Sequence, residues 1–354
     1  MTAYNNIKVT AVVVSYNREA LLRECLDGLA RQSRPVDHLI VVDNASTDHA
    51  LQVAHTHPSQ PEVIPLGCNY GGAGGFCAGL ALALRQQSRS GAGLAVDAEF
   101  VWLMDDDTIP TPTALERLLD TATECDRANG QWPTILGSRA LWTDGREHLM
   151  NRPRPRTWIA KGGTTLGAAT GGDIAVEAPF QVRSLSFVSC LLNASTMRDL
   201  HALPRAAYFL WNDDFEFTTR LLRDGIGYYV PASVVVHKTK VFGSSDADPG
   251  QRFYNEVRNK LWMMRYSRTD FTGREYAEFL LKTLRRWVLT YLRAHDRRLI
   301  RDCFRRGWHD GFGTAPRGNA EILAAEATVA GAVRDVEGET EDKATDEEEG
   351  TTGR

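Results

Sequence analysis

Strand-like and helix-like stretches alternate along the first part of the chain. Apolar runs rich in β-branched side chains occupy residues 9–15, 38–42, 62–66 and 100–104, and such runs are typical of buried strands. Between them, apolar residues recur at helical spacing. Because strands that alternate with helices form parallel sheets with right-handed crossovers, the pattern predicts an α/β domain with a mostly parallel sheet.

The pattern changes between residues 135 and 195, where short strand-like stretches are separated by glycine-rich turns at residues 162–163 and 171–172. Residues 183–192 are typical of a buried strand. Residues 227–236 predict the last strand of the sheet. The helical pattern that follows lies outside this sheet and predicts a separate C-terminal extension.

Composition separates the end of the chain from its body. The 354 residues suffice for one large α/β domain and an extension. Residues 335–349 are mostly Asp and Glu with few apolar side chains, which is typical of disorder. We therefore predict a domain at residues 1–265, a helical extension at residues 266–320 and an acidic, disordered tail at residues 321–354.

Cysteine usage and hydropathy indicate the cellular compartment. The six cysteines are scattered and form no CxxC pair, which argues against structural zinc and against a disulfide framework. No secretory signal is visible at the N-terminus, and no run approaches the ~20 apolar residues of a membrane-spanning helix. We expect a cytoplasmic protein that meets a membrane only at its surface.

Three consecutive acids, Asp105, Asp106 and Asp107, follow the fourth apolar run. Unpaired carboxylates are costly to bury, so they are expected where the strand leaves the sheet, at the edge where open α/β sheets bind ligands. Acids one residue apart can hold Mg²⁺ or Mn²⁺, which prefer oxygen ligands beside substrate phosphates. A helix N-cap at Asp107 is the alternative interpretation.

Polar residues also follow the first two strands, at the same predicted edge. They are Ser15, Tyr16, Asn17 and Arg18 after the first strand and Asp43 after the second. An aromatic side chain beside an acid suits a uracil base, because the ring can stack and a carboxylate can accept the N–H of the base. For Asp43, a helix cap is an equal alternative.

A glycine-rich stretch begins the helix after the third strand. Its candidate ligand-binding residues are Asn69, Gly71, Gly72, Gly74 and Gly75. Backbone N–H groups in such a stretch can approach a phosphate or a sugar hydroxyl without obstruction by a Cβ atom. The stretch lacks the Gly-Lys-Ser/Thr of a P-loop, and a flexible turn is the alternative.

Acids begin a later predicted helix, where Asp213 and Asp214 follow Trp211 and Asn212. One of these acids can act as a general base on an incoming hydroxyl. Complementing the helix dipole is the alternative, although it explains one acid better than several. His237, at the end of the last predicted strand, can complete a metal site with two Asp, whereas a lone His is more often structural.

Six stretches together resemble the family 2 glycosyltransferases of GT-A fold over roughly residues 8–265. They read VVVSYNR, VVDNASTD, NYGGAGGF, WLMDDDT, WNDDFEF and VVVHKT. The glycine-rich stretch and the triple Asp look like the actinobacterial galactofuranosyltransferases that build cell-wall galactan, and the short chain resembles the initiating type. The resemblance implies a GT-A catalytic domain at residues 1–265.

The resemblance also implies a reaction. It is the inverting, metal-dependent transfer of galactofuranose from UDP-galactofuranose to a polyprenyl-diphosphate-linked rhamnosyl-GlcNAc acceptor. The cofactor would be Mn²⁺ or Mg²⁺, held by Asp105, Asp107 and His237. A rhamnosyltransferase that uses dTDP-rhamnose is one alternative, because the motifs do not distinguish the sugars. A non-catalytic sugar-nucleotide-binding module is another.

Further roles follow from the resemblance, motif by motif. Asp43 would bind uracil, and Asp106 the ribose or sugar of the donor. Asp214 would be the catalytic base, with Asp213 and Trp211 at the acceptor. Asn212 stands directly before the two acids, so the position of the base can slip by one residue. The stretch from Tyr254 to Asn259 resembles a segment of related lipid-linked transferases, without an assigned role.

A predicted amphipathic helix over residues 276–308 connects the chain to membranes. Its arginines are Arg285, Arg286, Arg293, Arg297, Arg298, Arg301, Arg305 and Arg306, and its apolar anchors are Leu284, Trp287, Tyr291 and Leu292. Such a helix can lie in an anionic interface, and packing on the catalytic domain is the alternative. We expect a peripheral protein at the inner face of the plasma membrane, with no nucleic-acid partner.

Overall fold

Helices pack on both faces of a central sheet in the computed structural model of the chain. The structure describes residues 6–90, 97–153, 155–156, 166, 177–239, 242 and 248–338. Within these residues the sheet has nine strands: β1 (Ile7–Ser15), β2 (His38–Asp43), β3 (Glu62–Pro65), β4 (Ala98–Asp105), β5 (Thr108–Pro110), β6 (Ile135–Leu141), β7 (Phe180–Gln181), β8 (Cys190–Asn193) and β9 (Gly227–His237).

Parallel pairing dominates the half of the sheet built from the N-terminal strands. There, β3, β2, β1 and β4 lie side by side and are parallel. The sheet continues with β8, β6, β9 and β5, and β8 is antiparallel to both of its neighbours. β6 and β9 are parallel, whereas β5 and β7 pair antiparallel with β9. The prediction of an α/β fold with a mostly parallel sheet is confirmed.

Eleven helices are present in the described residues, besides short 3₁₀ turns. They are α1 (Glu19–Ala30), α2 (Ala50–Thr56), α3 (Gly71–Ser90), α4 (Ala114–Asn129), α5 (Ala194–Asp199), α6 (Asp213–Leu221), α7 (Phe253–Tyr266), α8 (Gly273–Arg293), α9 (Arg297–Gly313), α10 (Asn319–Ile322) and α11 (Ala327–Glu337). Alternate residues of β1 enter two separate cores: Val12 and Val14 face α3, while Val9 and Val13 face α1. The sheet is therefore buried on both faces, which explains its continuous apolar runs.

The stretch predicted as a strand at residues 183–192 is only partly extended. Strand β8 begins at Cys190, and Phe187–Ser189 form a 3₁₀ turn. The hydroxyl of Thr218 on α6 accepts from the backbone N–H of Leu185 and donates to the Leu185 carbonyl. These bonds satisfy the backbone without a neighbouring strand. The glycine-rich turns predicted at residues 162–163 and 171–172 lie outside the described residues.

The C-terminal region differs from its prediction in two respects. The predicted helix at residues 276–308 is broken into α8 and α9, because the Asp296 carboxylate accepts from the N–H groups of Arg298 and Leu299 and starts a new helix. The prediction of a disordered tail from residue 321 is wrong for residues 327–337, because α11 buries Val329 and Val333 against α3. Residues 339–354 lie outside the described residues.

Of the helices that the structure describes, none combines the length and apolar character needed to cross a bilayer. The helices of the extension pack on the domain instead. Trp287 of α8 is buried against Phe304 and Trp308 of α9. Gly307 and Gly311 let α9 approach α7 closely, since a Cβ atom at either would come within 2.7 Å of α7.

Candidate active site

Parallel pairing brings the polar strand ends together. Asp43 at the end of β2 pairs with Ser15 of β1, and Asp105 of β4 pairs with Val14. The Ser15 hydroxyl donates to Asp106 at 2.9 Å, and the Tyr16 N–H donates to the same carboxylate at 3.1 Å. The predicted edge is therefore real, and residues from three strands define it.

Arg18 neutralises part of the acid triplet. Its Nη1 lies 3.2 Å from Asp106 and also forms an ion pair with Asp107. Burial raises the pKa of Asp106 to about 6, against the opposing charge of Arg18. Burial and the charges of Asp107 and Asp106 raise the pKa of Asp105 well above its ordinary value. The site thus concentrates negative charge that one arginine balances only in part.

His237 lies directly beside the triplet because β5 reverses the chain. Thr108 pairs with His237 in the antiparallel β5–β9 ladder, which places the imidazole Nε2 3.3 Å from Asp107 Oδ1. The Nδ1 atom contacts the side-chain oxygen of Asn151 at 3.0 Å. Burial opposes ionisation of Asp107, but His237 and Arg18 together lower its pKa. The Asp107 N-cap alternative is excluded, since α4 begins only at Ala114.

Whether these residues fit a divalent cation follows from their donor atoms. Asp107 Oδ1 is buried and has no hydrogen-bond partner, and it faces an imidazole. Carboxylate oxygens suit Mn²⁺ and Mg²⁺, which take further ligands from substrate phosphates, and a neutral imidazole is a common metal ligand in general. In the described part of the chain, however, no three His, Cys, Asp or Glu side chains converge as a complete site. The residues therefore fit a cation that diphosphate oxygens help to hold.

The glycines of the predicted ligand loop mostly serve packing. Gly71 has a φ of +72°, and a Cβ atom there would overlap the Phe209 carbonyl. Gly74 lies against Tyr70, and a Cβ atom at Gly75 would come 2.5 Å from Val14. Only Gly72 lines the cleft described below. Three of the four glycines are therefore required because other protein segments pack closely against them, and not because a ligand must approach their backbone.

Some polar side chains that follow the first three strands hold the loops together, and one has an oxygen atom without a hydrogen-bond partner in the described part of the chain. Asn17 Oδ1 accepts from the Thr47 N–H at 2.6 Å and so ties the two loops together. Asn69 Oδ1 accepts from the Gly71 N–H at 2.7 Å. Asp43 Oδ2 accepts from the Ser46 N–H, but its buried Oδ1 has no partner among the described residues. No helix starts at Asp43, so the cap alternative is excluded.

Asp213 and Asp214 reach the cleft through an unusual backbone. Phe209, with φ +62° and ψ −62°, forms a γ-turn in which the Leu210 N–H donates to the Tyr208 carbonyl at 2.7 Å; this turn form is rare and strained. Trp211 and Asn212 also have positive φ. Helix α6 begins directly afterwards, so the loop sets where both acids point.

The segment from Tyr254 to Asn259, without a role at the sequence level, holds this loop. The Asn259 amide nitrogen lies within 3.1 Å of the carbonyl oxygens of Tyr208, Leu210 and Trp211. Arg258 donates to the Tyr208 carbonyl and to that of the preceding residue. Helix α7 therefore positions the acids of α6 through backbone contacts.

Burial tunes the two acids of α6. It raises the pKa of Asp213 to about 8, with a contribution from the adjacent Asp214. It raises the pKa of Asp214 to about 6, an effect that the backbone N–H of Phe215 and the charge of Lys260 oppose. Near neutral pH, Asp214 is mostly ionised and Asp213 mostly protonated. Paired acids with separated pKa values are characteristic of acid–base sites.

A cleft of about 340 Å³ joins these groups. Its lining includes Gly72, Asp105, Trp211, Asp213, Asp214 and His237, together with Asn151, Arg252, Glu256 and Arg286. None of the last four was predicted to lie in this cleft. Asn151 and Arg252 belong to no motif, Glu256 lies in the segment from Tyr254 to Asn259, and Arg286 was assigned to the amphipathic helix. Segments far apart in sequence thus meet with acids on two sides of one cleft.

The fold is similar to that of solved structures. The crystal structure of S. aureus TarS 1–349 superimposes with a TM-score of 0.55 at 18% identity, covering 98% of this chain and 93% of that one. Its complex with UDP-GlcNAc gives 0.52, covering 93% and 90%. At this identity the likeness concerns the fold alone.

Residues 10–180, a little under half of the chain, match the model of Glycosyl transferase family 2, so this segment is similar to the domains of that family. Galactofuranosyltransferase GlfT1 of Mycolicibacterium smegmatis is 29% identical over 222 residues, which are 62% of this chain and 67% of that one. The GlfT1 of Mycobacterium tuberculosis (strain CDC 1551 / Oshkosh) is 29% identical over 270 residues, covering 72% and 82%. The recognition made from the motifs is confirmed.

Proposed function

We propose that this glycosyltransferase moves galactofuranose from UDP-galactofuranose to a polyprenyl-diphosphate-linked rhamnosyl-GlcNAc acceptor. The names of the two GlfT1 relatives support the transferred sugar. The observation that carries the proposal is the cleft that Asp105 of the sheet edge lines together with Asp213 and Asp214. One side offers a donor-diphosphate site, and the other offers a base for an acceptor hydroxyl.

The donor is proposed to bind along the ends of β1, β2 and β4. The unpartnered Asp43 Oδ1 can accept the N–H of uracil, and the half-exposed Tyr16 ring can stack on the base. Asp106, fixed by Ser15, can accept a hydroxyl of the ribose or the sugar. UDP bound in the related fold of TarS supports a uridine donor.

A divalent cation, Mn²⁺ or Mg²⁺, is proposed to bind beside Asp107 and His237, which are in contact. Asp105 would join them as a third protein ligand when diphosphate oxygens supply the others, because the three side chains do not converge by themselves. When bound, it would neutralise charge that develops on the UDP leaving group. Arg18 forms an ion pair with Asp107, so it competes for this carboxylate and would turn toward the diphosphate. Arginine is well suited to that contact because its fork matches phosphate oxygens.

Asp214 is proposed as the catalytic base. The acceptor oxygen bonds to the anomeric carbon from the face opposite UDP, the bond to UDP breaks, and the hydroxyl proton passes to Asp214. The configuration at the anomeric carbon inverts. Asp213, mostly protonated at neutral pH because burial raises its pKa to about 8, can donate a hydrogen bond to the acceptor. Trp211 offers a ring at the same side of the cleft.

Helix α8 supports a place at a membrane surface. Leu281 is 69% exposed and Leu284 is 60% exposed, while Val288, Tyr291 and Leu292 continue the same apolar strip. Exposed arginines of α8 and α9 flank it. Trp287 is buried and does not serve as an anchor. We propose that this strip inserts into the interface of an anionic membrane at the cytoplasmic side.

The test is release of nucleoside diphosphate from a panel of sugar nucleotides, with and without Mn²⁺. UDP release from UDP-galactofuranose supports the proposal. Release of dTDP from dTDP-rhamnose instead would show that dTDP-rhamnose is the donor. Binding without release for every donor would indicate a non-catalytic module. Asp214→Asn is expected to keep donor binding and lose transfer. If Asp213→Asn is the inactive variant instead, the base is one residue earlier.

A further inference from the structure

A second cavity, of about 580 Å³, lies beside α8 and next to the active-site cleft. Five basic side chains and two acidic ones line it. The basic ones are Arg156, Arg183, Lys260, Lys282 and Arg286, and the acidic ones are Glu275 and Glu278. The cavity therefore has an excess of positive charge, in a chain whose net charge is −4.

Two of the five cations are already neutralised within the cavity. Arg183 donates to Glu275 at 2.9 Å and to two backbone carbonyls. Lys282 forms an ion pair with Glu278 one helical turn away. A third cation, Arg286, faces Glu256 at 3.3 Å at the border of the cavity. Both acids of the cavity are therefore paired, but they do not pair with every basic side chain of its lining.

Lys260 and Arg156 form no direct ion pair within the part of the chain that the structure describes, although Glu256 and Asp214 act on the charge of Lys260 from a distance. The Lys260 ammonium lies 4.3 Å from the ring centre of Phe215 and 4.8 Å from that of Phe279, and forms no hydrogen bond or ion pair there. Arg156 donates only to backbone carbonyls, and its Nε is buried without a partner. Both side chains are partly buried, and a partly desolvated cation without a direct ion pair favours an anionic ligand in this space.

The rest of the lining consists of three aromatic side chains and of Pro155, Ser184, Thr219 and Thr283. Phe215, Phe271 and Phe279 form a continuous cluster with ring centres 5.1–6.4 Å apart. A mostly apolar cavity of this size with a few convergent charges is typical of small-molecule sites. Here the two features together suit an anion that is attached to an apolar chain.

The cavity connects the active site to the exposed strip of α8. Arg286 lines both this cavity and the active-site cleft, and Phe215 directly follows Asp214. Residues Phe279, Lys282 and Arg286 face the cavity from α8, while Leu281 and Leu284 of the same helix face solvent. A lipid diphosphate could thus have its anion in the cavity, its chain along α8 and its sugars in the cleft.

We propose that this cavity binds the diphosphate of the lipid-linked acceptor, with Lys260 and Arg156 as its principal cationic contacts. This inference rests on the proposed function, because it names the place where the anionic linker of that acceptor binds. It also accounts for the basic side chains of the cavity that borders the active-site cleft.

The experiment titrates the full chain with farnesyl diphosphate by calorimetry, in the presence of saturating UDP so that the donor site is filled. Lys260→Gln is expected to weaken binding by about tenfold or more, since a hydrogen bond to a charged group is lost. Arg285→Gln removes the same charge from the exposed side of α8 and is expected to leave the dissociation constant unchanged. Binding is the chosen readout because Lys260 also acts on Asp214.

Comparison ligands separate a lipid site from a general anion site. Farnesol is expected to bind weakly and independently of Lys260, and inorganic pyrophosphate to bind more weakly than farnesyl diphosphate. Equal affinity for pyrophosphate would overturn the assignment to a lipid ligand. If Lys260→Gln does not fold, judged by circular dichroism, Arg156→Gln is used, with the same expected weakening because Arg156 is the other principal contact.

The outcomes also distinguish this inference from the proposed function. Lys260-dependent binding of farnesyl diphosphate without transfer from UDP-galactofuranose would refute the proposed function and leave the diphosphate site in place. Transfer from UDP-galactofuranose, with an unchanged dissociation constant in Lys260→Gln, would refute the diphosphate site alone. Absence of binding to the wild-type chain would refute it as well.

Discussion

Replacing Asn259 by alanine tests whether α7 positions the catalytic acids. The Asn259 side chain is fully buried, and its amide nitrogen is 3.0, 3.1 and 2.7 Å from the carbonyl oxygens of Tyr208, Leu210 and Trp211. An amide has two N–H donors for these three acceptors. No other side chain in the described structure donates to the Leu210 or Trp211 carbonyl.

The magnitude follows from the hydrogen bonds lost. Each contributes roughly 0.5–1.5 kcal/mol net, and a buried carbonyl left without a donor costs about 1–3 kcal/mol. Two donors are removed by Asn259→Ala, so the free energy of unfolding is expected to fall by about 2–4 kcal/mol. The γ-turn at Phe209 and the positive φ values after it are strained by on the order of 1–3 kcal/mol each, so the loop is expected to relax once released.

Two measurements check this expectation. Urea unfolding reports the loss of stability, and the kinetics of transfer report the position of the acids. We expect kcat to fall at least about tenfold while the KM of the donor changes little, because the donor side of the cleft does not contact Asn259. Asn255→Ala, one turn earlier on α7, is the matched control and is expected to leave both quantities near their wild-type values.

Some results would refute this reasoning. A stability loss below about 1 kcal/mol in Asn259→Ala would show that the three contacts contribute little. Equal losses of kcat in Asn259→Ala and Asn255→Ala would show that α7 acts through general packing. A large rise in the donor KM with unchanged kcat would show that Asn259 affects donor binding and not the position of the acids.

Three further predictions concern the metal, pH and the membrane. Asp107→Ala is expected to abolish the binding of Mn²⁺ plus UDP in calorimetric titration, and wild-type affinity would contradict the metal assignment. Because burial raises the pKa of Asp213 from 3.8 to about 8, the native state binds more protons than the unfolded state between these values, so stability falls as pH rises through them; Asp213→Asn should flatten that fall in urea unfolding. Replacing Leu281 and Leu284 by serine should abolish sedimentation with anionic vesicles, whereas serine at the equally exposed Leu200 should not.

The sequence by itself determined the strands, the class of fold and most of the residues at the sheet edge. Apolar runs such as residues 38–42 and 100–104 specify buried strands because their side chains have no favourable exposed arrangement. Acids placed directly after those runs must lie at the edge, since burial between helices would leave them unpaired. Parallel pairing then brings Asp43 and Asp105 to one side without further information.

Tertiary structure alone decided how the separate motifs meet. The distance between Asp107 and His237 depends on the antiparallel pairing of β5 with β9, which no local pattern in either segment predicts. The roles of the glycines depend on what lies against them, and Gly71 is required by a carbonyl of Phe209, far away in sequence.

The C-terminal region shows the same division between local and long-range information. Its helical periodicity is visible in the sequence, but the cap at Asp296 ends one helix and starts another. Six of the eleven residues of α11 are Ala or Val. The prediction assigned them to the tail because the acidic run follows them, and they become buried because α3 offers a matching surface. Local patterns specify which residues can be buried. Only long-range packing specifies which other residues bury them.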